Sequence, residues 1–155
     1  MRIVAGADHN GYLLKDTIAA KLREQGFEVK DLGTNGPERV LVDSYALGVG
    51  GSVADGSYDT GLLVCGTGQG MAIFANRVKG VRAAHCNDVF TARLARRNND
   101  ANVLCMGSDF MGVDLALAIL EEWINTPYGK KEDDTLQRLA DIESGIAPRK
   151  SAPGV

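Results

Sequence analysis

The sequence predicts an α/β fold built on a five-stranded parallel sheet. Three observations lead there. Short apolar runs alternate with longer amphipathic segments, the apolar runs are about five residues long as doubly buried strands are, and 19 glycines supply tight turns between them. In chain order, a strand over residues 2 to 6 precedes a helix over 11 to 25 that carries Leu13 and Leu14. A strand over 27 to 31 and a helix over 42 to 55 follow. The apolar run at 60 to 65 leads through glycines into a helix over 69 to 77. Strands over 81 to 86 and 102 to 106 alternate with helices over 88 to 98 and 112 to 125, and a last helix covers 132 to 144. A single domain is therefore expected over 1–143, with a turn-rich tail over 144–155.

Composition narrows the function. A net charge of −3 gives no basic field for nucleic acid, so any phosphate site must come from local amides and a few cations. The apolar run at the N-terminus is too short for a signal peptide, and no stretch approaches the roughly 18 apolar residues of a membrane helix. A cytoplasmic protein with no membrane partner is expected. Three cysteines without metal-type spacing argue against disulfides and against a metal site, and fit a reducing compartment.

In an open parallel sheet a ligand sits beyond the carboxyl ends of the strands, which selects the loops after residues 6, 65, 86 and 106. The first contains Asp8, which either caps the next helix or binds substrate, and His9, which suits a phosphate contact or proton movement unless it is a plain surface histidine. The second is Cys65-Gly66-Thr67-Gly68-Gln69-Gly70. Its glycines admit a ligand to backbone amides, and the helix start adds partial positive charge suited to an oxyanion or phosphate. The spacing lacks the Gly-Lys-Ser/Thr ending of a nucleotide loop and the full dinucleotide fingerprint, so no cofactor is expected. Cys65 is either a structural core thiol or a thiolate favoured by this turn, the form that acts as base or nucleophile. Cys86 and Cys105 read as inert core residues. In the third and fourth loops, His85 ends an apolar run, and Arg96, Arg97 and the Asn98-Asn99 pair suit a helix C-terminus and its stop.

These blocks together resemble the type B ribose-5-phosphate isomerases, with the related galactose-6-phosphate isomerase subunits. The resemblance runs from residue 2 to about residue 143. It rests on Ala7-Asp8-His9-Asn10-Gly11, Asp31-Leu32-Gly33-Thr34, the Cys65 to Gly70 turn, Ala75-Asn76-Arg77, Gly80-Val81-Arg82-Ala83, Asn99-Asp100-Ala101-Asn102-Val103 and Met106-Gly107-Ser108. It implies a Rossmann-like three-layer α/β/α sandwich and a homodimer, alone or paired into tetramers, with active sites at the subunit interface. It also implies cofactor-free, metal-free interconversion of an aldose phosphate and a ketose phosphate. By the same resemblance Cys65 moves the proton between C1 and C2 through a cis-enediolate, and Thr67 with the amides of Gly66, Gly68 and Gly70 stabilises the oxyanion. Asp8, His9 and Asn99 are assigned to substrate.

Departures from the family pattern concern the substrate. The histidine to which ring opening is attributed is here Asn98, which cannot exchange a proton near neutral pH. Arginines expected at the rim are replaced by Asp109, Lys130, Lys131 and Thr135, and an Asp-Tyr-Pro segment by Leu41-Val42-Asp43. Arg39, Lys130 and Lys131 are the candidate phosphate cations, and His85 or His9 the candidate ring openers. Two further readings follow: a tetrose 4-phosphate substrate, which needs no ring opening because its C4 oxygen is esterified, and a catalytically silent phosphosugar-binding subunit.

Overall fold

A computed structural model describes residues 1–146; residues 147–155, most of the expected tail, lie outside the described residues. Strands β1 (Arg2–Ala7), β2 (Glu28–Asp31), β3 (Thr60–Cys65), β4 (Ala83–His85) and β5 (Val103–Gly107) form one parallel sheet in the order β2-β1-β3-β5-β4. Between and after them run α1 (Tyr12–Glu24), α2 (Val42–Ala54), α3 (Gln69–Ala75), α4 (Val89–Asn99), α5 (Val113–Asn125) and α6 (Asp133–Glu143).

Successive strand side chains point to opposite faces, so each buried strand feeds two cores. Ile3, Ala5, Leu62, Val64, Leu104 and Met106 face α1, α4 and α5. Val4, Leu63, Cys65, Val103 and Cys105 face α2 and α3. The result is the expected three-layer α/β/α sandwich. Close approach across it requires glycine at position 61, where a methyl group would stand 2.6 Å from Val49 Cγ1 on α2. No helix among the described residues is long and apolar enough to cross a membrane.

Observed element ends lie within one or two residues of the sequence expectation, with β4 differing most in proportion. Expected over 81 to 86, it is confined to Ala83–His85 because other groups take up the preceding backbone: the Arg82 amide donates to Asn102 Oδ1, and Asn102 Nδ2 donates to the Gly80 carbonyl. The open edge of β4 is partly covered by the Asn76 side chain, which bonds both the amide and the carbonyl of Ala83 at 2.8 and 2.9 Å. Helix α4 also runs through the Asn98-Asn99 pair expected to stop it. The stop is Asp100, in left-handed conformation at φ 45°, with its carboxylate held by Arg82 and Arg96.

One buried charge organises the site side of β2. The apolar stripe of α1, Leu14, Ile18 and Leu22, carries Lys15 and Ala19 into the interior with it, and the lysine is fully buried. Its Nζ donates to Asp31 at 2.5 and 2.6 Å and to Asn35 Oδ1 at 3.1 Å, with Asp16 also in range at 2.8 Å. Asp31 in turn accepts from the Gly33 amide. The lysine thereby ties α1 to the chain leaving β2. Replacing it with Met should destabilise the protein by about 3 kcal/mol, the low end for a broken buried pair because both carboxylates keep some water. Urea unfolding at pH 7 measures this.

Candidate active site

The sheet order places a topological switch between β1 and β3, since the chain leaves β1 toward β2 on one side and enters β3 on the other. Their carboxyl ends, with that of β5, carry the loops of interest. Parallel pairing continues past the strands. The amide of Asp8 donates to the Val64 carbonyl (3.2 Å), that of Ser108 to Cys65 (2.9 Å) and that of Asp109 to Gly66 (3.0 Å). Ser108 Oγ adds bonds to the carbonyls of Asn10 and Cys65. Gly11 sits so close that a methyl group there would stand 2.3 Å from the Val64 oxygen. Three loops are thus locked to one another by main-chain bonds.

Cys65 ends β3 with 5% exposure, and the chain then turns back through Gly68 at φ 77° into α3. That turn aims the Gly68 amide at the sulfur, N to Sγ 3.0 Å. An N–H donor on sulfur stabilises negative charge there, as the bonds of an oxyanion pocket do. Thr67 is exposed at the tip of the turn, its Oγ1 near the Gln69 amide at 3.4 Å. Gly70 lies behind it, beside Val42.

Asp8 is buried, and its Oδ1 accepts from the amides of Asn10 (2.9 Å) and Gly11 (3.0 Å). This is a cap on the turn before α1 rather than on the helix itself, whose first residue has no side-chain cap. His9 receives the Val40 amide on Nδ1 at 3.4 Å, so in the neutral ring the proton resides on Nε2. The same contact brings the 35–41 loop and its exposed Arg39 beside His9. The carboxylate of Asp109 stands over Gly66, where a methyl group would be 2.8 Å from Oδ2, and it has no partner among the described residues. His85, at the end of β4, packs against Gly68.

The remaining predicted residues lie elsewhere. Helix α4 starts near the carboxyl end of β4 and returns to the start of β5, a run of about 16 Å at 1.5 Å per residue. Asn98 and Asn99 are therefore at the opposite end of the sheet from Cys65. Lys130 and Lys131 accompany them, since the Gly129 amide donates to the Arg97 carbonyl at 2.8 Å. Within one chain, then, Asp8, His9, Arg39, Cys65, Gly66, Thr67, Gly68, Gly70, His85 and Asp109 gather at one end, and Asn98, Asn99, Lys130 and Lys131 at the other. Sequence reasoning assigned no task to Ser108 or Lys15. The signal for Lys15 was its place on the apolar stripe of α1.

The other two thiols sit in the sheet and beside it. Burial pushes Cys105 well above its ordinary value and Cys86 up to about 11. No group of three or more metal-ligating side chains forms among the described residues.

Residues 3–142 match the sequence profile of the Ribose/Galactose Isomerase family. The chain is 41% identical over 143 residues to ribose-5-phosphate isomerase B of Escherichia coli, covering 92% of this chain and 96% of that protein. It is 36% identical to the D-erythrulose-4-phosphate isomerase of Pectobacterium atrosepticum, covering 83% and 85% respectively. Among solved structures, ribose-5-phosphate isomerase B of Clostridium thermocellum superposes with a TM-score of 0.91 at 40% identity, covering 95% of this chain and all of that one.

The elevated Cys86 thiol predicts an alkaline loss of stability. Between the ordinary thiol value of 9.0 and about 11 the unfolded chain releases this proton while the folded chain keeps it, so stability falls as pH rises through that window. Cys86→Ala should flatten the dependence of unfolding free energy on pH from 9 to 11, measured by denaturant titration under argon.

Proposed function

We propose that this chain, which belongs to the ribose/galactose isomerase family, performs its aldose–ketose isomerisation without a cofactor, with Cys65 as base and a cis-enediolate as intermediate. The observation that carries this reading is the 3.0 Å bond from the Gly68 amide to Cys65 Sγ at the sheet's switch point. A base beside preorganised amides meets the demand of proton abstraction next to a carbonyl, where negative charge passes from sulfur to substrate oxygen. Cys65 takes the proton from C2 and returns it to C1. Thr67 and the glycine amides of the turn receive the oxyanion. His9, with its Nε2 proton free to donate, and Arg39 contact the phosphate or a sugar hydroxyl.

A tetrose 4-phosphate is the second reading, beside ribose 5-phosphate, and Asn98 favours it. An amide at the place attributed to ring opening suits a substrate that has no ring to open. The relative from Pectobacterium atrosepticum is itself named for erythrulose 4-phosphate.

The split of site residues between two ends of the chain supports a homodimer whose sites draw on both copies. Ile73 and Phe74 on α3, Val89 and Phe90 at the start of α4, and Phe110 after β5 are exposed apolar side chains of the kind such a pairing would cover. A mixture of Cys65→Ser and Asn99→Ala chains, each inactive alone, should regain activity after joint refolding. Continued silence of the mixture, with dimers present by sedimentation, would argue for sites within single chains.

The chemistry is tested in deuterium oxide with ribose 5-phosphate and erythrulose 4-phosphate, following label at C1 and C2 by NMR. We expect exchange and turnover with at least one of them, and a loss of about 10³-fold in Cys65→Ser. Higher kcat/KM for the tetrose selects the second reading. No exchange with either sugar would instead support the silent phosphosugar-binding subunit.

A further inference from the structure

We propose that His85 is a positioning residue for the proton-transfer centre, holding the Gly68 amide on the Cys65 sulfur from beneath the turn; this rests on Cys65 being the base. His85 is the last residue of β4 and pairs in register with Cys105 of β5, which brings its ring under the chain that follows β3. A methyl group on Gly68 would stand 2.7 Å from His85 Cδ2, 3.0 Å from its Nε2 and 2.8 Å from the Met106 carbonyl carbon. The α-carbon of Gly68 therefore packs closely against an imidazole edge and the backbone of β5. At φ 77° the same residue directs its amide to the sulfur at 3.0 Å. A shift of the ring would move the donor aimed at the sulfur.

The choice of histidine is not explained by packing. Its Nε2 is buried and finds no hydrogen-bond partner among the described residues, where an apolar side chain would fill the space at no such penalty. Groups that cost stability and stand against a reacting centre are expected to serve it. The polar ring edge lies under the turn proposed to receive the substrate's enediolate oxygen, where a fixed dipole acts without reorganising. Since that edge is covered by Gly68, Nε2 acts through the turn and does not itself reach a sugar.

The test separates this role from packing by reading stability and catalysis together. His85→Leu should raise Tm, because the orphaned nitrogen is gone, and lower kcat about 10²-fold, as displacement of a catalytic donor does, with KM within twofold of the original. His85→Gln, whose amide reaches the place of Nε2, should recover much of the lost kcat while Tm falls back. Unchanged kcat in His85→Leu, or Tm and kcat falling together in both variants, would overturn the proposal. Cys65→Ser run in parallel keeps the two ideas apart. If it stays active the base assignment fails, and if it is dead while His85→Leu is fully active only the role of His85 fails.

Discussion

Three consecutive carbonyls at the end of β3 carry the architecture of the site. Val64, Cys65 and Gly66 each accept an amide from a neighbouring loop, from Asp8 on one side and from Ser108 and Asp109 on the other. Because parallel strands present their hydrogen-bonding groups in the same direction, the ladder need not end where the strands do. It passes into the loops and makes them part of the sheet. Side chains on such loops inherit the rigidity of the core, which is what a base must have to meet a carbon acid at fixed distance. The glycines at 11 and 68 follow from the same constraint, since any Cβ at either place would strike backbone and push the loops apart.

Much of this was legible in the sequence, for physical reasons that also mark where legibility stopped. β1, β3 and β5 are buried on both faces, so their apolar runs give both existence and ends. β4 is a half-buried edge strand whose preceding backbone is satisfied by Asn102, a side-chain interaction that no hydrophobic pattern announces. The turn after Cys65 was readable because positive φ and close approach both demand glycine. Lys15 was not, and His85 was read only as a candidate ring opener, since the surroundings of each come from the fold. The lysine stood on an apolar stripe, yet its partners Asp31 and Asn35 are 16 and 20 residues away.

The distribution of candidate residues is the most informative thing the sequence left unsaid. A strand followed by a returning helix moves the chain from one end of the sheet to the other, so residues at the two ends of α4 cannot share a site in the same copy. His85 precedes α4 and belongs with Cys65, whereas Asn98 and Asn99 end it and belong with Lys130 and Lys131. Exposed Val89 and Phe90 at its first turn, with Phe110 after β5, give the near end exposed apolar side chains. The proposed assembly would join an apolar, catalytic end of one copy to a polar, amide- and amine-bearing end of another. Substrate would then be closed off by association rather than by a lid.

Asp109 bears on which substrate such a closed site accepts. Its carboxylate stands over Gly66, next to Cys65, with no cation to neutralise it among the described residues. A dianionic phosphate placed there would meet like charge in a partly dehydrated site, where repulsion is stronger than in water. A sugar hydroxyl would instead find an acceptor. On the proposed reading the electrostatics would orient the bound sugar with its hydroxyl-bearing carbons toward Asp109 and its phosphate toward His9 and Arg39, or toward lysines of a second copy. An arginine in the same position would draw the phosphate toward it. A single charge reversal at the rim would then change the direction in which a short substrate lies across the proposed base, so that one proton-transfer centre could be kept while chain length and ring chemistry differ around it.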